Sequence, residues 1–228
     1  MNMHTILSDK SMQEWIQISY RNTKKIEELK KKIQNNTPFP HLELHTFFNE
    51  ERLTKVLKAL RKEEFLEKES DLFKFMQTHD FSTSSITELQ EFKNFLSSKA
   101  FFAYMKEITE IKLKEKSIDI SASLYQNTDY LLPHDDQLEG RKIAFIIYLS
   151  NLEEKDGGKL ILYRTKGAIP REEEKAIIPQ FNTFVFFKVS EKSFHEVEEL
   201  ITNKQRITIG GWFHGAYHKS YLQQKREY

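Results

Sequence analysis

The sequence has no cysteine. Disulfide scaffolds, thiolate zinc sites, iron–sulfur ligation and cysteine nucleophiles are excluded together. Glycine and proline are scarce, at seven and five, and no internal repeat or low-complexity linker marks a hard domain boundary. Long apolar runs are also missing. The longest, Ile143 to Leu149, is far too short to span a bilayer, and the N-terminal MNMHTILSDKS lacks the apolar stretch of a signal peptide. A soluble, cytoplasmic protein is expected. Nor does one sign of charge dominate: 35 basic and 34 acidic residues leave a net charge of +1. No direct binding to nucleic acid or membrane is expected from that balance.

What is present is a hydrophobic fraction of 39% with eighteen phenylalanines, which calls for a packed aromatic interior rather than disorder. The 228 residues suit one large domain. Ser11 and Glu14 fit a capping box, and Trp15, Ile18, Ile26, Leu29 and Ile33 recur at helical spacing, predicting one helix up to Asn35-Asn36. Thr37-Pro38-Phe39-Pro40 breaks it. His41 to Phe48 predicts a strand, ending at Asn49 as the cap of a helix bearing Leu53, Val56, Leu57 and Leu60. Residues 65–81 suggest extended structure. Ser85 and Glu88 offer a second capping box, and a further helix covers Ala100 to Thr109.

From Ile118 the character changes. Strand-like runs stand at 118–126, 130–134, 143–149, 159–163, 175–178, 183–189, 194–198 and 206–213, several separated by turns such as Asp156-Gly157-Gly158. Helices followed by about eight strands predict an α+β, mainly β chain: a barrel or sandwich flanked by helices. A single domain over 1–228 is expected, with a helical extension at 1–36, a strand and supporting helices at 37–117, a β core at 118–215 and a tail at 216–228. In 143–149 both alternating faces are apolar, so that strand is expected to be buried on both sides.

His134-Asp135-Asp136 lies among these strands. Residues i and i+2 of a strand share a face, which sets the His134 imidazole and Asp136 carboxylate side by side, Cβ atoms roughly 6.5–7 Å apart. One more imidazole would complete a 2-His-1-carboxylate face for non-haem Fe(II), with open coordination positions. His195 is the candidate and His214 its rival. If Arg206 opens a strand, then Arg206, Thr208, Gly210 and Trp212 share one face, a row that could receive a carboxylate. Tyr148 is either a core tyrosine or a donor to a ligand. Arg141 and Lys142, just past the metal motif, could face a substrate but read rather as a solvated strand edge.

Several blocks carry a family resemblance. They are PFPHLELHTFF at 38–48, EKESDLFKFMQTHDF at 67–81, YQNTDYLLPHDDQLEGRKIAFIIYL at 125–149, DGGKLILY at 156–163, IIPQFNTFVFFKVSEKSFHEV at 177–197 and RITIGGWFHG at 206–215. Together they resemble the 2-oxoglutarate- and Fe(II)-dependent oxygenases of the prolyl hydroxylase type. The resemblance is closest to the branch that hydroxylates a proline of the small-subunit ribosomal protein at the decoding centre. It implies a double-stranded β-helix (jelly-roll) barrel with N-terminal flanking helices. It implies that His134, Asp136 and His195 bind Fe(II) and that His214 does not. It also implies that Arg206, helped by Tyr148, pairs with the distal carboxylate of 2-oxoglutarate, that Tyr125 lies on the co-substrate side, and that Trp212 lies near the metal. Thr208 stands where the family commonly has serine and keeps the hydroxyl. The implied cofactors are Fe(II), 2-oxoglutarate and O2, with ascorbate as a candidate reductant, and the implied partner is a proline-containing protein. Eukaryotic members of that branch carry a second, non-catalytic β-helix domain, whereas thirteen residues follow Gly215 here.

Other readings remain open on the residues alone. They are a cupin-like barrel binding Zn or Mn, a non-catalytic binding module on the same fold, and an oxygenase acting on a small molecule. Keeping Asp136 as a third protein ligand favours hydroxylation, since alanine or glycine there would open a site for halide.

Overall fold

Helices occupy the first half of the chain and strands the second, as the two periodicities require. The computed structural model describes residues 2–215, and the 216–228 tail marked off above lies outside them. Among these residues the helices are α1 (Met3–Leu7), α2 (Lys10–Trp15), α3 (Thr23–Asn35), α4 (Glu50–Leu60), α5 (Thr87–Leu96) and α6 (Lys99–Thr109). The strands are β1 (His41–Leu44), β2 (Leu66–Ser70), β3 (Phe73–Gln77), β4 (Ile118–Tyr125), β5 (Tyr130–His134), β6 (Arg141–Tyr148), β7 (Leu160–Lys166), β8 (Ile169–Ile177), β9 (Thr183–Lys188), β10 (His195–Val197) and β11 (Arg206–His214).

The single helix expected from Ser11 to Asn36 is instead α2, a 3-10 turn at Ile18–Tyr20, and α3. Asp9, not Ser11, caps α2: its carboxylate accepts from the Ser11 and Met12 N–H groups and from the Ser11 hydroxyl. Glu14 is drawn off the cap by Arg52, 2.8 Å away. The chain leaves the helix because Ile16 turns extended and bridges Phe48, and Asn22 then caps α3 through the Lys25 N–H. Periodicity alone misses such a break, since Ile26, Leu29 and Ile33 stay buried after it.

The strand expected over 41–48 stops at Leu44. Thr46 adopts a left-handed φ of 47°, and Phe48 is held by exchanging two hydrogen bonds with the Asn182 side chain, each 2.8 Å. Asn49 does cap α4, accepting from the Arg52 N–H. The capping box expected at Ser85 does not form: Ile86 is the cap residue of α5 and has no side-chain cap bond.

Ten strands form one hydrogen-bonded path, β1-β9-β6-β11-β4-β3-β5-β10-β7-β8, with β2 paired to β3. Every pairing in it is antiparallel. The sheet curls until its two ends meet, where Lys175 of β8 lies 3.0 Å from Glu43 of β1. β6 shows how the two sides differ. Ile143, Phe145, Ile147 and Leu149 join the helix-side core with Phe92, Phe101 and Met105. Ala144, Ile146 and Tyr148 point into the curl with Leu160, Leu162 and Phe187. Aromatic rings tie the helices to the sheet: Phe184 lies 5.0 Å from Phe47, and Phe213 lies 5.3 Å from Phe102. The helices thus seal the outer face, and the inner face is left to carry the site.

Candidate active site

Register brings the two histidines together. β5 and β10 are antiparallel neighbours, and His134 and His195 are direct partners across that ladder, their ring centroids 4.2 Å apart. Asp136 joins them for a reason other than the strand spacing expected above. β5 ends at His134, and Asp136 sits just past it in the left-handed region, φ 63°. That turn folds its carboxylate back between the imidazoles, Oδ1 3.5 Å from His134 Nε2 and Oδ2 3.6 Å from His195 Nε2. The three ligand atoms all lie within 4.8 Å of one another.

Hydrogen bonds fix which nitrogens face inward. His134 Nδ1 lies 2.9 Å from the Leu132 carbonyl, and His195 Nδ1 lies 2.8 Å from the Ser193 carbonyl. A carbonyl only accepts, so each Nδ1 carries the hydrogen and each neutral ring turns an Nε2 lone pair toward the carboxylate. Three acceptors then converge with no donor among them. Such a group calls for a cation, either a metal ion or a proton.

The titration directions follow. Burial would depress His134, but the Asp136 carboxylate more than offsets it and the pKa is raised. His195 is lowered to about 4 by burial and then by His134. Burial pushes Asp136 up, yet the two histidines hold it well below the usual carboxylate range. The Trp212 indole N–H adds to this without closing a hydrogen bond.

Where His134 is protonated, below its raised pKa, a metal ion must displace that proton, because ligands bind deprotonated. The affinity for Co(II), a redox-stable probe, should therefore rise with pH until His134 is neutral. Below that point it should fall about tenfold per pH unit, one proton per ion. His195 adds nothing to this slope above pH about 4. Titration calorimetry between roughly pH 5 and 8 checks it, and a flat profile would contradict the assignment of the raised pKa.

The opposite end of the cavity is built by β11. Arg206, Thr208, Gly210 and Trp212 all line the same space as the triad, together with Tyr125. Arg206 is only 1% exposed. Its Nε donates to the Gly158 carbonyl at 2.8 Å, while Nη2 has no partner. The guanidinium lies 4.9 Å from the Tyr125 ring and 5.3 Å from the Tyr148 ring. Among the described residues no carboxylate stands within ion-pair distance of it. Tyr148 is fully buried and its hydroxyl is also unpartnered. Burial pushes its pKa up to about 12, with Arg206 pulling the other way, so it stays a phenol donor. Burial raises Tyr125 likewise, and its ring stacks on Phe75 at 5.0 Å.

A buried cation lining the same cavity as the three acceptors, with a buried hydroxyl near it and both unsatisfied, is complementary to an anionic ligand bridging to a metal. Residues 120–214 match the family model described as the 2OG-Fe(II) oxygenase superfamily. Residues 120–214 are thus similar to the 2OG-Fe(II) oxygenases. Its relatives include the prolyl 3-hydroxylase OGFOD1 of Xenopus laevis, 38% identical over 80% of this chain and 36% of the relative. The Mus musculus protein of that name is 39% identical over 78% of this chain and 33% of the relative. The chain thus spans about a third of the length of these curated relatives. The crystal structure of a Pseudomonas putida prolyl-4-hydroxylase superposes with a TM-score of 0.66 at 15% identity, covering 82% of this chain and 99% of that one. At that identity the likeness speaks to the fold, and the curled sheet is a double-stranded β-helix.

Around this cavity, two features depart from the sequence expectation or escape it. Arg141 is not a solvated edge: its guanidinium lies 3.4 Å from the Trp212 ring centroid and 3.8 Å from Asp136 Oδ1, whereas Lys142 is exposed. Gly157-Gly158, read only as a turn, has a second job. A Cβ on Gly158 would sit 2.9 Å from Leu200 Cδ1 and 3.3 Å from Arg206 Cδ, so the bare glycine lets its carbonyl reach the guanidinium. His214 stands outside the metal cluster and pairs with Asp119 at 2.9 Å. No helix among the described residues is long and apolar enough to cross a membrane.

Proposed function

We propose that this chain is an Fe(II)- and 2-oxoglutarate-dependent dioxygenase that hydroxylates a prolyl residue of a protein. The observation carrying the proposal is the pairing of three convergent acceptors with an unneutralised buried guanidinium in one cavity. In this reading His134, Asp136 and His195 would hold Fe(II), a set of hard carboxylate and borderline imidazole donors suited to that ion with positions left open. Arg206 takes the distal carboxylate of 2-oxoglutarate, with the Tyr148 and Thr208 hydroxyls as further donors. Bound there, Fe(II) supplies O2 activation coupled to decarboxylation of 2-oxoglutarate to succinate and CO2.

The chain's own part is orientation and exclusion of water. Tyr125 and Phe75 wall the co-substrate end, and Trp212 with Arg141 walls the metal end. The names of the relatives, prolyl 3-hydroxylases, support a protein-bound proline as substrate and C3 as the position oxidised. The resemblance of 67–81 to the ribosomal branch supports a small-subunit ribosomal protein as that partner, and a cytoplasmic location goes with it. The whole of 1–228 acts as one domain in this proposal, with 118–215 as its catalytic core.

The test is mass spectrometry of ribosomal protein incubated with the chain, Fe(II), 2-oxoglutarate and ascorbate. Gain of one oxygen atom on a proline, dependent on 2-oxoglutarate, is expected. Consumption of 2-oxoglutarate without any modified protein would move the substrate to a small molecule. No consumption with Fe(II), but metal-dependent chemistry with Zn or Mn, would return the site to a cupin-like enzyme.

A further inference from the structure

We propose that Ser193 is a positioning residue that sets the orientation of the Asp136 carboxylate and of the His195 ring at once. This rests on reading the triad as a metal site. Ser193 is completely buried. Its hydroxyl lies 2.9 Å from the carbonyl oxygen of Asp135, a residue 58 positions away, and 2.7 Å from that of Ser190. The same hydroxyl accepts from the Ser190 N–H at 2.9 Å. The Ser190 carbonyl also receives the Ser193 N–H at 3.0 Å, and the hydroxyl proton is shared between that carbonyl and the one of Asp135.

That bond matters because of where it falls. The Asp135 carbonyl belongs to the peptide unit whose rotation defines φ of Asp136, and that φ is 63°. A residue with a Cβ keeps a left-handed conformation only where its surroundings impose it. Locally, the Asp135 carboxylate accepts from the Gln137 N–H at 3.0 Å and from its side-chain amide at 2.8 Å, which shapes the far side of the turn. The Ser193 hydroxyl supplies the near side and ties it to another segment. Its own carbonyl, meanwhile, accepts from His195 Nδ1, which selects the tautomer presenting Nε2 inward. One buried serine thus couples the turn after β5 to the residue that opens β10, through its hydroxyl on one side and its carbonyl on the other.

The test uses the full chain and Co(II), with calorimetry and the visible ligand-field spectrum as readouts. Ser193→Ala deletes one atom and keeps the backbone carbonyl. It should weaken Co(II) binding about 10- to 100-fold and shift the spectrum, alongside the modest fall in melting temperature that an unpaired Ser190 N–H brings. Ser193→Thr, which retains the hydroxyl, should restore most of the affinity. Wild-type affinity and spectrum in Ser193→Ala would overturn the proposal, as would a lowered melting temperature with metal binding intact. Failure of the metal reading looks different: the wild type would not bind Co(II), or Asp136→Ala would bind it equally well, and both ideas would then fall together.

Discussion

Asp136→Ala is expected to weaken divalent-metal binding by more than the roughly 10- to 100-fold that loss of an outer-shell contact costs, and to abolish 2-oxoglutarate consumption. The reason is geometric. Asp136 is the only anion among the three convergent groups, and its two oxygens face one imidazole each at 3.5 and 3.6 Å. Without it, two neutral rings remain 4.2 Å apart, and a divalent ion gains no charge neutralisation from either. The fold should survive, because the register of β5 with β10 does not depend on the carboxylate.

Stability of the metal-free chain gives an independent check. The folded pKa of Asp136 is depressed, so its ionised form stabilises the fold above the unfolded carboxylate value of about 3.9. That contribution is lost as pH falls through the lower folded value. The folded pKa of His134 is raised, so its contribution is full below about 6.5 and disappears as pH rises through the folded value. The wild type should therefore exceed the variant most in the mildly acidic range, between about pH 4 and 6.5, with the gap narrowing on either side. Denaturant titrations across pH measure this. A constant gap, or metal affinity equal to the wild type, would remove Asp136 from the site.

How much of this was legible beforehand depends on which physical rule governs each residue. Burial of β6 on both faces follows from its uninterrupted apolar run, and the structure divides those side chains between two cores as alternation requires. The shared face of Arg206, Thr208, Gly210 and Trp212 follows from strand periodicity in the same way. Juxtaposition of His134 with His195 does not, because chain order says nothing about which strands pair or in what register. Asp136 does stand beside His134, but through a left-handed turn past the end of the strand rather than through strand alternation. Arg141 looked solvated because one sequence cannot show that Trp212, seventy positions on, supplies a ring for its guanidinium. The split of the first helix is hidden for a related reason: Ile16 leaves the helix to bridge Phe48, a partner that chain order does not reveal. Local rules fixed the faces, and long-range pairing fixed the site.

Arg206→Met is expected to weaken 2-oxoglutarate binding by about 2–5 kcal/mol, a factor of roughly 30 to a few thousand, while leaving Co(II) affinity near the wild-type value. Arg206 is 1% exposed, its Nε–H donates to the Gly158 carbonyl, its guanidinium otherwise faces two tyrosine rings, and Nη2 has no acceptor. A cation desolvated to that degree without a counter-charge costs the metal-free fold free energy, and replacing buried charge by an apolar side chain of similar shape is often neutral or stabilising. The metal-free variant should therefore melt at the same temperature as the wild type or higher, the loss of the Gly158 bond notwithstanding. Binding and stability then move in opposite directions. A residue that merely packs would lose both, and a surface cation would change neither. Arg206→Lys should recover only part of the affinity, because an ammonium cannot make the planar, two-point contact with a carboxylate that a guanidinium can. Tyr148→Phe should cost less, about 0.5–1.5 kcal/mol, as fits a neutral donor beside the principal charge. Calorimetric titration of Co(II), and then of 2-oxoglutarate into the Co(II)-loaded proteins, alongside thermal melts of the metal-free ones, measures these quantities. Should Arg206→Met bind 2-oxoglutarate as the wild type does, the buried guanidinium would have to be neutralising some other anion.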